Sequence, residues 1–105
     1  MTMREAIREK LRKNHVSFAD LRDIDGFQGE FVIASSINHN VIFWSGISAE
    51  ASDILNEMCQ AGEFEYQPTT PLTYLIDGAM LSLPQVKSKR NYKTPHWLPV
   101  VLVTA

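Results

Sequence analysis

The sequence has little of what marks a secreted, membrane-bound or strongly charged protein. Its single cysteine, Cys59, excludes a disulfide within the chain and favours a reducing compartment. Its longest apolar runs are far too short to span a bilayer, and no apolar run follows the first charges as in a signal peptide. The formal net charge of −2 provides no overall attraction to nucleic acid or membranes. We therefore expect a cytoplasmic protein without membrane association.

Motifs of enzymes and metal sites are also lacking. The three histidines, His15, His39 and His96, are far apart, and none has metal-ligand spacing to another histidine or to the cysteine. Three aspartates before Gly26 do not follow the ligand order of a calcium loop. No serine lies in a nucleophile-elbow pattern. We expect a non-enzymatic protein that needs no metal and no cofactor, with His39 exposed in a turn.

One amphipathic helix is the clearest element that is present. Apolar residues recur at helical spacing from Ile47 to Cys59, as in a helix with one side against a core. Ser48 stands at the N-cap position, and Gly62 can adopt the left-handed conformation that ends a helix. The opposite side is polar and mildly acidic. Cys59 on the apolar side is expected to be a reduced core thiol.

A β-hairpin is predicted after this helix. Phe64 and Tyr66 alternate with polar residues, as in a half-buried strand, and two prolines then interrupt the chain. Residues 72–76 are predicted to form the return strand. Asp77-Gly78 is typical of a two-residue turn, so residues 79–83 are expected to add a third strand.

The N-terminal half begins with a capping box formed by Thr2 and Glu5, which predicts a helix over residues 3–13. Ser17 then predicts the start of a second, short helix. Two β-rich runs, at residues 31–34 and 41–44, flank a turn-like segment and predict a second hairpin.

Two basic segments suggest contacts with nucleic acid. The first helix carries cations along one side, and residues 85–95 hold four basic residues and no acidic one. Phosphate contacts and a base stacked on a tyrosine would be the functional interpretation; a solvated helix with Glu5–Arg8 and Glu9–Lys13 pairs, followed by a mobile connection, is the alternative. The candidate nucleic-acid-binding residues are Arg4, Arg8, Arg12, Lys87, Lys89, Arg90, Tyr92 and Lys93.

The C-terminal tail, residues 97–103, is strongly β-forming. Pro99 cannot donate to a strand ladder, so we expect an edge strand or the start of a strand. An apolar edge must be covered, either by the fold or by a partner. A protein partner or a second copy could therefore bind through the edge near Val100, or through the polar side of the central helix.

The helix ending in Ala61-Gly62, followed by a strand, a proline-rich loop and residues 73–78, resembles the second half of a winged-helix domain. There a recognition helix leads into a two-stranded wing; with the basic first helix, the resemblance extends over residues 3–83. Two features depart from it: the hairpin between the helices, and a central helix whose polar side lacks arginine and lysine. The chain also resembles small proteins carried by bacteriophages and prophages.

Together these patterns predict one α+β domain over residues 1–105, with two or three helices packed on antiparallel β-hairpins, in a winged-helix-like arrangement. We expect a protein-interaction or regulatory module, with a nucleic-acid-binding accessory protein as the alternative. The predicted core is Ile7, Leu11, Phe18, Leu21, Ile33, Phe43, Ile54, Leu55, Met58, Phe64, Tyr74 and Ile76.

Overall fold

The computed structural model describes residues 1–87 and 92–104, and these form an α+β fold of four helices and two three-stranded sheets. The predicted class is confirmed, with one helix more than expected. In chain order the elements are α1 (Met3–Leu11), β1 (Val16–Ser17), α2 (Phe18–Leu21), β2 (Gln28–Ala34), β3 (Val41–Ile47), α3 (Ala49–Gln60), β4 (Phe64–Pro68), α4 (Pro71–Asp77), β5 (His96–Trp97) and β6 (Val100–Thr104).

Three helices begin at the residues that the sequence predicts. The Thr2 hydroxyl accepts a hydrogen bond from the Glu5 N–H at 3.1 Å, and the Glu5 carboxylate accepts one from the Thr2 N–H at 3.0 Å. The hydroxyls of Ser17 and Ser48 each accept from the N–H three residues later, at 3.1 Å. These side chains satisfy N–H groups that the first helical turn leaves free.

Helix α1 ends at Leu11, two residues before its expected end. Beyond it Asn14 and His15 have positive φ angles of 55° and 50°, which turn the chain into β1. The Asn14 side-chain oxygen accepts a hydrogen bond from the N–H of Thr104 at 2.9 Å. This turn is therefore fixed against β6, at the far end of the described chain.

The predicted hairpin of β2 and β3 is confirmed, and its ladder is irregular. Gln28 and Phe31 both lie opposite Ile47, so the residues between them bulge out of the ladder. The bulge brings Gly29 against the start of α3: a Cβ at this glycine would lie 2.5 Å from Cα and 2.9 Å from N of Ser48. The absence of a side chain here lets β2 and α3 meet.

Strand β6 lies in the middle of its sheet, whose order is β1–β6–β4, and it is antiparallel to both neighbours. Of the two alternatives predicted at Pro99, the edge strand was wrong, and the start of a strand is confirmed. Pro99 precedes the strand and leaves its ladder intact, while Val100, Val101 and Leu102 are all buried. The fold itself covers this apolar run, so a partner cannot dock on an open edge at Val100.

The second sheet has the order β2–β3–β5, with β5 parallel to β3.

The predicted return strand at residues 72–76 was also wrong, because these residues form α4. Pro71 occupies the first turn, where its missing N–H costs little, and Gly78 ends the helix with a φ of 90°. Strand β4 pairs with β6 instead. Residues 79–83 form no strand, and Asp77-Gly78 is a helix end rather than a turn between strands.

The core agrees with the prediction at every predicted position except Ile76, which is 75% exposed on α4. Phe43 and Ile54 are only partly buried and pack against the core. Two tryptophans that the prediction did not include, Trp44 and Trp97, join the core, and the ring of Tyr74 lies 5.1 Å and 5.2 Å from theirs. The predicted residues that are fully in the core are Ile7, Leu11, Phe18, Leu21, Ile33, Leu55, Met58, Phe64 and Tyr74.

The hydroxyl of Tyr74 joins three elements inside this core. It accepts a hydrogen bond from the N–H of Phe18, at the start of α2, at 3.1 Å, and it donates one to the carbonyl of Val100 at the start of β6. Tyr66 differs, since its buried hydroxyl has no hydrogen-bond partner among the described residues. A buried polar group stabilises a fold only when it is paired.

We expect the two tyrosines to respond differently to removal of the hydroxyl. Tyr74→Phe leaves a buried N–H and a buried carbonyl unpaired and should lower the free energy of unfolding by about 3 kcal/mol. Tyr66→Phe removes a group that has no partner and should change it by less than about 0.5 kcal/mol, or raise it. Urea denaturation of both variants measures the difference. Equal destabilisation would contradict the bridging role of Tyr74.

Alanine substitutions at Gly29 and Gly62 compare the cost in stability of a steric clash with the cost of an unfavourable backbone conformation. Gly29→Ala places a methyl group onto the backbone of Ser48 and should cost about 3 kcal/mol of stability. Gly62→Ala meets no atom within 4 Å, and only its φ of 79° opposes the substitution, at about 1 kcal/mol. Thermal or urea unfolding would test this order, and a Gly29→Ala variant as stable as the original protein would refute the close packing of β2 on α3.

Candidate functional site

The basic side chains of α1 are held by carboxylates from other parts of the fold. Arg4 contacts Glu57 of α3, and Arg8 makes two hydrogen bonds to Glu63, at 2.8 Å and 3.0 Å. Lys10 lies 3.3 Å from Asp20, which also lies 3.6 Å from Lys13. Arg12 contacts Glu9 on its own helix at 3.5 Å. The predicted Glu9–Lys13 pair is replaced by these contacts, and the helix is fixed to α2, to α3 and to the turn before β4.

The bidentate ion pair between Arg8 and Glu63 has the most favourable hydrogen-bond geometry of these pairs. Its hydrogen bonds lower the pKa of the Glu63 carboxyl and raise the pKa of the Arg8 guanidinium. The side chains of Arg8 and Glu63 are 51% and 30% exposed, so solvent screens the pair, and it orients α1 more than it stabilises the fold. Three of the eight candidate nucleic-acid contacts, Arg4, Arg8 and Arg12, are thus engaged with carboxylates.

The second basic segment is anchored elsewhere. Lys87 and Lys93 are exposed, while Tyr92 is only 8% exposed, with its ring 4.3 Å from that of His96. The Tyr92 hydroxyl accepts a hydrogen bond from the N–H of Lys87 at 2.9 Å, and its carbonyl accepts one from the side chain of Asn40 at 3.0 Å. A ring buried in this way has little surface to offer a base.

Lys89 and Arg90 lie outside the described residues. Among the described ones, no hydrogen bond or ion pair joins α1 to residues 84–96. Helix α1 packs against α2 and β6, whereas Tyr92 of the second segment contacts His96 of β5 and Asn40 in the turn of the hairpin. Whether nucleic acid binds to either segment stays a prediction.

The outer side of α4 is the most apolar exposed surface on a helix of the fold. Leu72, Leu75 and Ile76 are 61%, 63% and 75% exposed, and their spacing of three and four residues places them on one side. Met80, just beyond the helix, is 46% exposed. The opposite side is fixed by Tyr74, and Asp77 accepts a hydrogen bond from the Ser17 hydroxyl at 2.6 Å. We call Leu72, Leu75, Ile76 and Met80 the α4 surface.

The sequence contained a signal for this surface. Proline at the first position, glycine just after the end and apolar residues at a spacing of three and four are typical of a short helix. The strong β-propensity of the same residues favoured a strand. Because a strand would have turned alternate residues inward, the strand prediction placed Ile76 in the core.

The described residues hold no arrangement typical of metal or thiol chemistry. They contain no group of three or more histidine, cysteine, aspartate or glutamate residues placed to hold a metal ion. Cys59 is partly buried, and burial raises the pKa of its thiol, which favours the protonated form. His39 is exposed in its turn, as expected. No helix in the described part of the chain is long and apolar enough to cross a membrane.

Comparison of the chain with models of protein families, with curated proteins and with solved structures gives no match in any of the three. The resemblances to winged-helix domains and to phage proteins therefore stay predictions.

The Arg8–Glu63 pair predicts a pH dependence of stability. Because the pKa of Glu63 is lowered in the folded protein, its contribution is present above the ordinary glutamate pKa and is lost as the pH falls through the folded value. Glu63→Gln should therefore reduce stability more near pH 6 than near pH 3. Urea unfolding at both pH values measures this, with Asp53→Asn on the exposed side of α3 as the control. The prediction would be contradicted if Glu63→Gln lowered the free energy of unfolding by the same amount at both pH values.

Proposed function

We propose that this protein is a protein-interaction module that binds its partner through the α4 surface. The observation that supports the proposal is a short helix whose outward side carries three aliphatic residues, each more than half exposed. Large contiguous apolar surfaces are uncommon on proteins that act alone, and they often mark interaction sites. Burial of these side chains under a partner would stabilise the complex, because apolar surface would be removed from water.

The chemistry of the α4 surface favours a protein as the partner. Its residues carry no charge and no hydrogen-bonding side chain, so they offer nothing to phosphates or to base edges. A helix that presents apolar residues at a spacing of three and four matches an apolar groove on another protein. Tyr74 holds α4 against α2 and β6, so its outer side is already fixed in position before binding. A fixed surface loses less conformational entropy when it binds.

The nucleic-acid alternative has less support. The arginines of α1 contact carboxylates, which reduces the positive potential that a phosphate backbone would meet. Among the described candidates, Lys87 and Lys93 are the exposed cations without such a contact. A cytoplasmic location and a phage origin remain predictions.

Site-specific crosslinking in the cells that naturally make the protein would test the proposal. A photoreactive benzoylphenylalanine at position 72, on the α4 surface, should give a discrete crosslinked protein, while the same residue at position 37, where Ile37 is 95% exposed in the hairpin turn, should not. The crosslinked protein, once purified, should bind the unmodified chain. Its affinity should fall at least tenfold for Ile76→Asp, because the substitution places a charge in an apolar contact.

Ile37→Asp is the matched control, since it makes the same change at another exposed isoleucine, and it should leave the affinity unchanged. Both variants should unfold like the original protein, because neither side chain is buried. The proposal would be wrong if position 72 gave no discrete product, or if the two aspartate variants lowered the affinity equally. Crosslinks from position 72 to nucleic acid would favour the alternative instead.

A further inference from the structure

A second feature, separate from the α4 surface, is a cleft of about 410 Å³ between the β2–β3 hairpin and α3. Its hairpin wall includes Ile33 and Phe43, its helix wall includes Asn56 and Gln60, and Tyr66 of β4 also lines it. The Phe43 and Tyr66 rings lie 5.1 Å apart at an angle of 52°. The lining therefore includes two neighbouring aromatic rings, and the volume of the cleft is within the range of small-molecule sites.

The polar groups on the helix wall are not used by the fold. The side-chain amides of Asn56 and Gln60 form no hydrogen bond with any described residue, and both residues are exposed at the cleft. They lie one helical turn apart on α3, so their amides face the same opening. Each amide can both donate and accept a hydrogen bond. The fold thus leaves two neighbouring amides available for hydrogen bonds beside the cleft.

No residue that lines the cleft, in the part of the chain described, is charged at neutral pH. The nearest candidate, the thiol of Cys59, stays protonated because burial raises its pKa. An ion that entered the cleft would lose part of its hydration without gaining a counter-charge, which is costly. The lining therefore selects an uncharged molecule.

We propose that this cleft binds a small, uncharged aromatic ligand whose polar edge can exchange hydrogen bonds with an amide. Phe43 and Tyr66 contact the ring of the ligand, and Asn56 and Gln60 bind its polar edge. The ligand class follows from three properties of the lining: two neighbouring aromatic rings, two side-chain amides and no charged residue. This site is independent of the α4 surface, so the two proposals can fail separately.

Three probes of nearly the same shape test the ligand class: benzamide, benzoate and toluene. We expect benzamide to give saturable shifts in the amide NMR signals of residues 33–36 and 56–60, with a dissociation constant on the order of millimolar for so small a molecule. Benzoate, which carries a charge, should bind at least about tenfold more weakly. Benzamide should also slow the modification of Cys59, which lines the cleft, by N-ethylmaleimide.

Variants on α3 identify the groups that bind the polar edge. In the double variant Asn56→Leu, Gln60→Leu, which keeps the size of the side chains, benzamide should lose its advantage over toluene. Asp53→Leu, on the same helix but outside the cleft, should leave all affinities unchanged. All three positions are on or near the surface, so the variants should fold.

The proposal is overturned if benzamide gives no saturable shifts up to its solubility limit, or if its shifts lie outside the cleft. It is also overturned if benzoate binds as well as benzamide, or if the double variant keeps the preference for benzamide over toluene. The benzamide and variant experiments do not involve Leu72, Leu75 or Ile76, so neither result bears on the α4 surface.

Discussion

The hydroxyl of Tyr74 is the contact on which the arrangement of this fold depends. It is a single polar atom among aromatic rings, and it satisfies a backbone donor from α2 and a backbone acceptor from β6. Inside an apolar core such groups must be paired, so the elements can pack only where both bonds form. The position of α4 is therefore set from within, by the buried side of one tyrosine. Its outward residues are exposed as a result of that constraint.

The positive charge of α1 and of the residues just after it is neutralised locally. Carboxylates from α2, from α3 and from the residue before β4 meet the cations of α1, and the helix becomes a fixed layer of the surface. Two uncharged features are also left exposed: the aliphatic side of α4, and the amides beside the cleft between the hairpin and α3. These features favour recognition by shape and apolar contact over recognition by long-range attraction.

The sequence predicts what is local and fails where partners are distant. The helix starts at Thr2, Ser17 and Ser48 were correct because each depends on a hydrogen bond spanning three residues. The place of β6 could not be derived, because its neighbours β1 and β4 come from distant parts of the chain. Residues 72–76 have strand-like propensity, and a helix was indicated by the proline before them, the glycine after them and the spacing of their apolar residues.

The candidate sites follow the same division. The cations of α1 were visible in the sequence, but Glu57 and Glu63, which bind two of them, are more than fifty positions away. The α4 surface needed the correct secondary structure before its exposure could be recognised. The cleft forms only where the hairpin, α3 and β4 pack together, and no local sequence pattern predicts that packing.

The central position of β6 has a consequence for the order of folding. Val16 pairs with Leu102 and Phe64 with Thr104, so neither outer strand of this sheet has a partner until β6 arrives. Closing such long loops is slow compared with forming a helix or the local β2–β3 hairpin. The helices and the hairpin can therefore form early, while β1, β4 and the apolar run of β6 remain unpaired until the long loops close. During that interval the chain is most exposed to pairing with other chains, a hazard that the completed sheet removes by burying Val100 to Leu102.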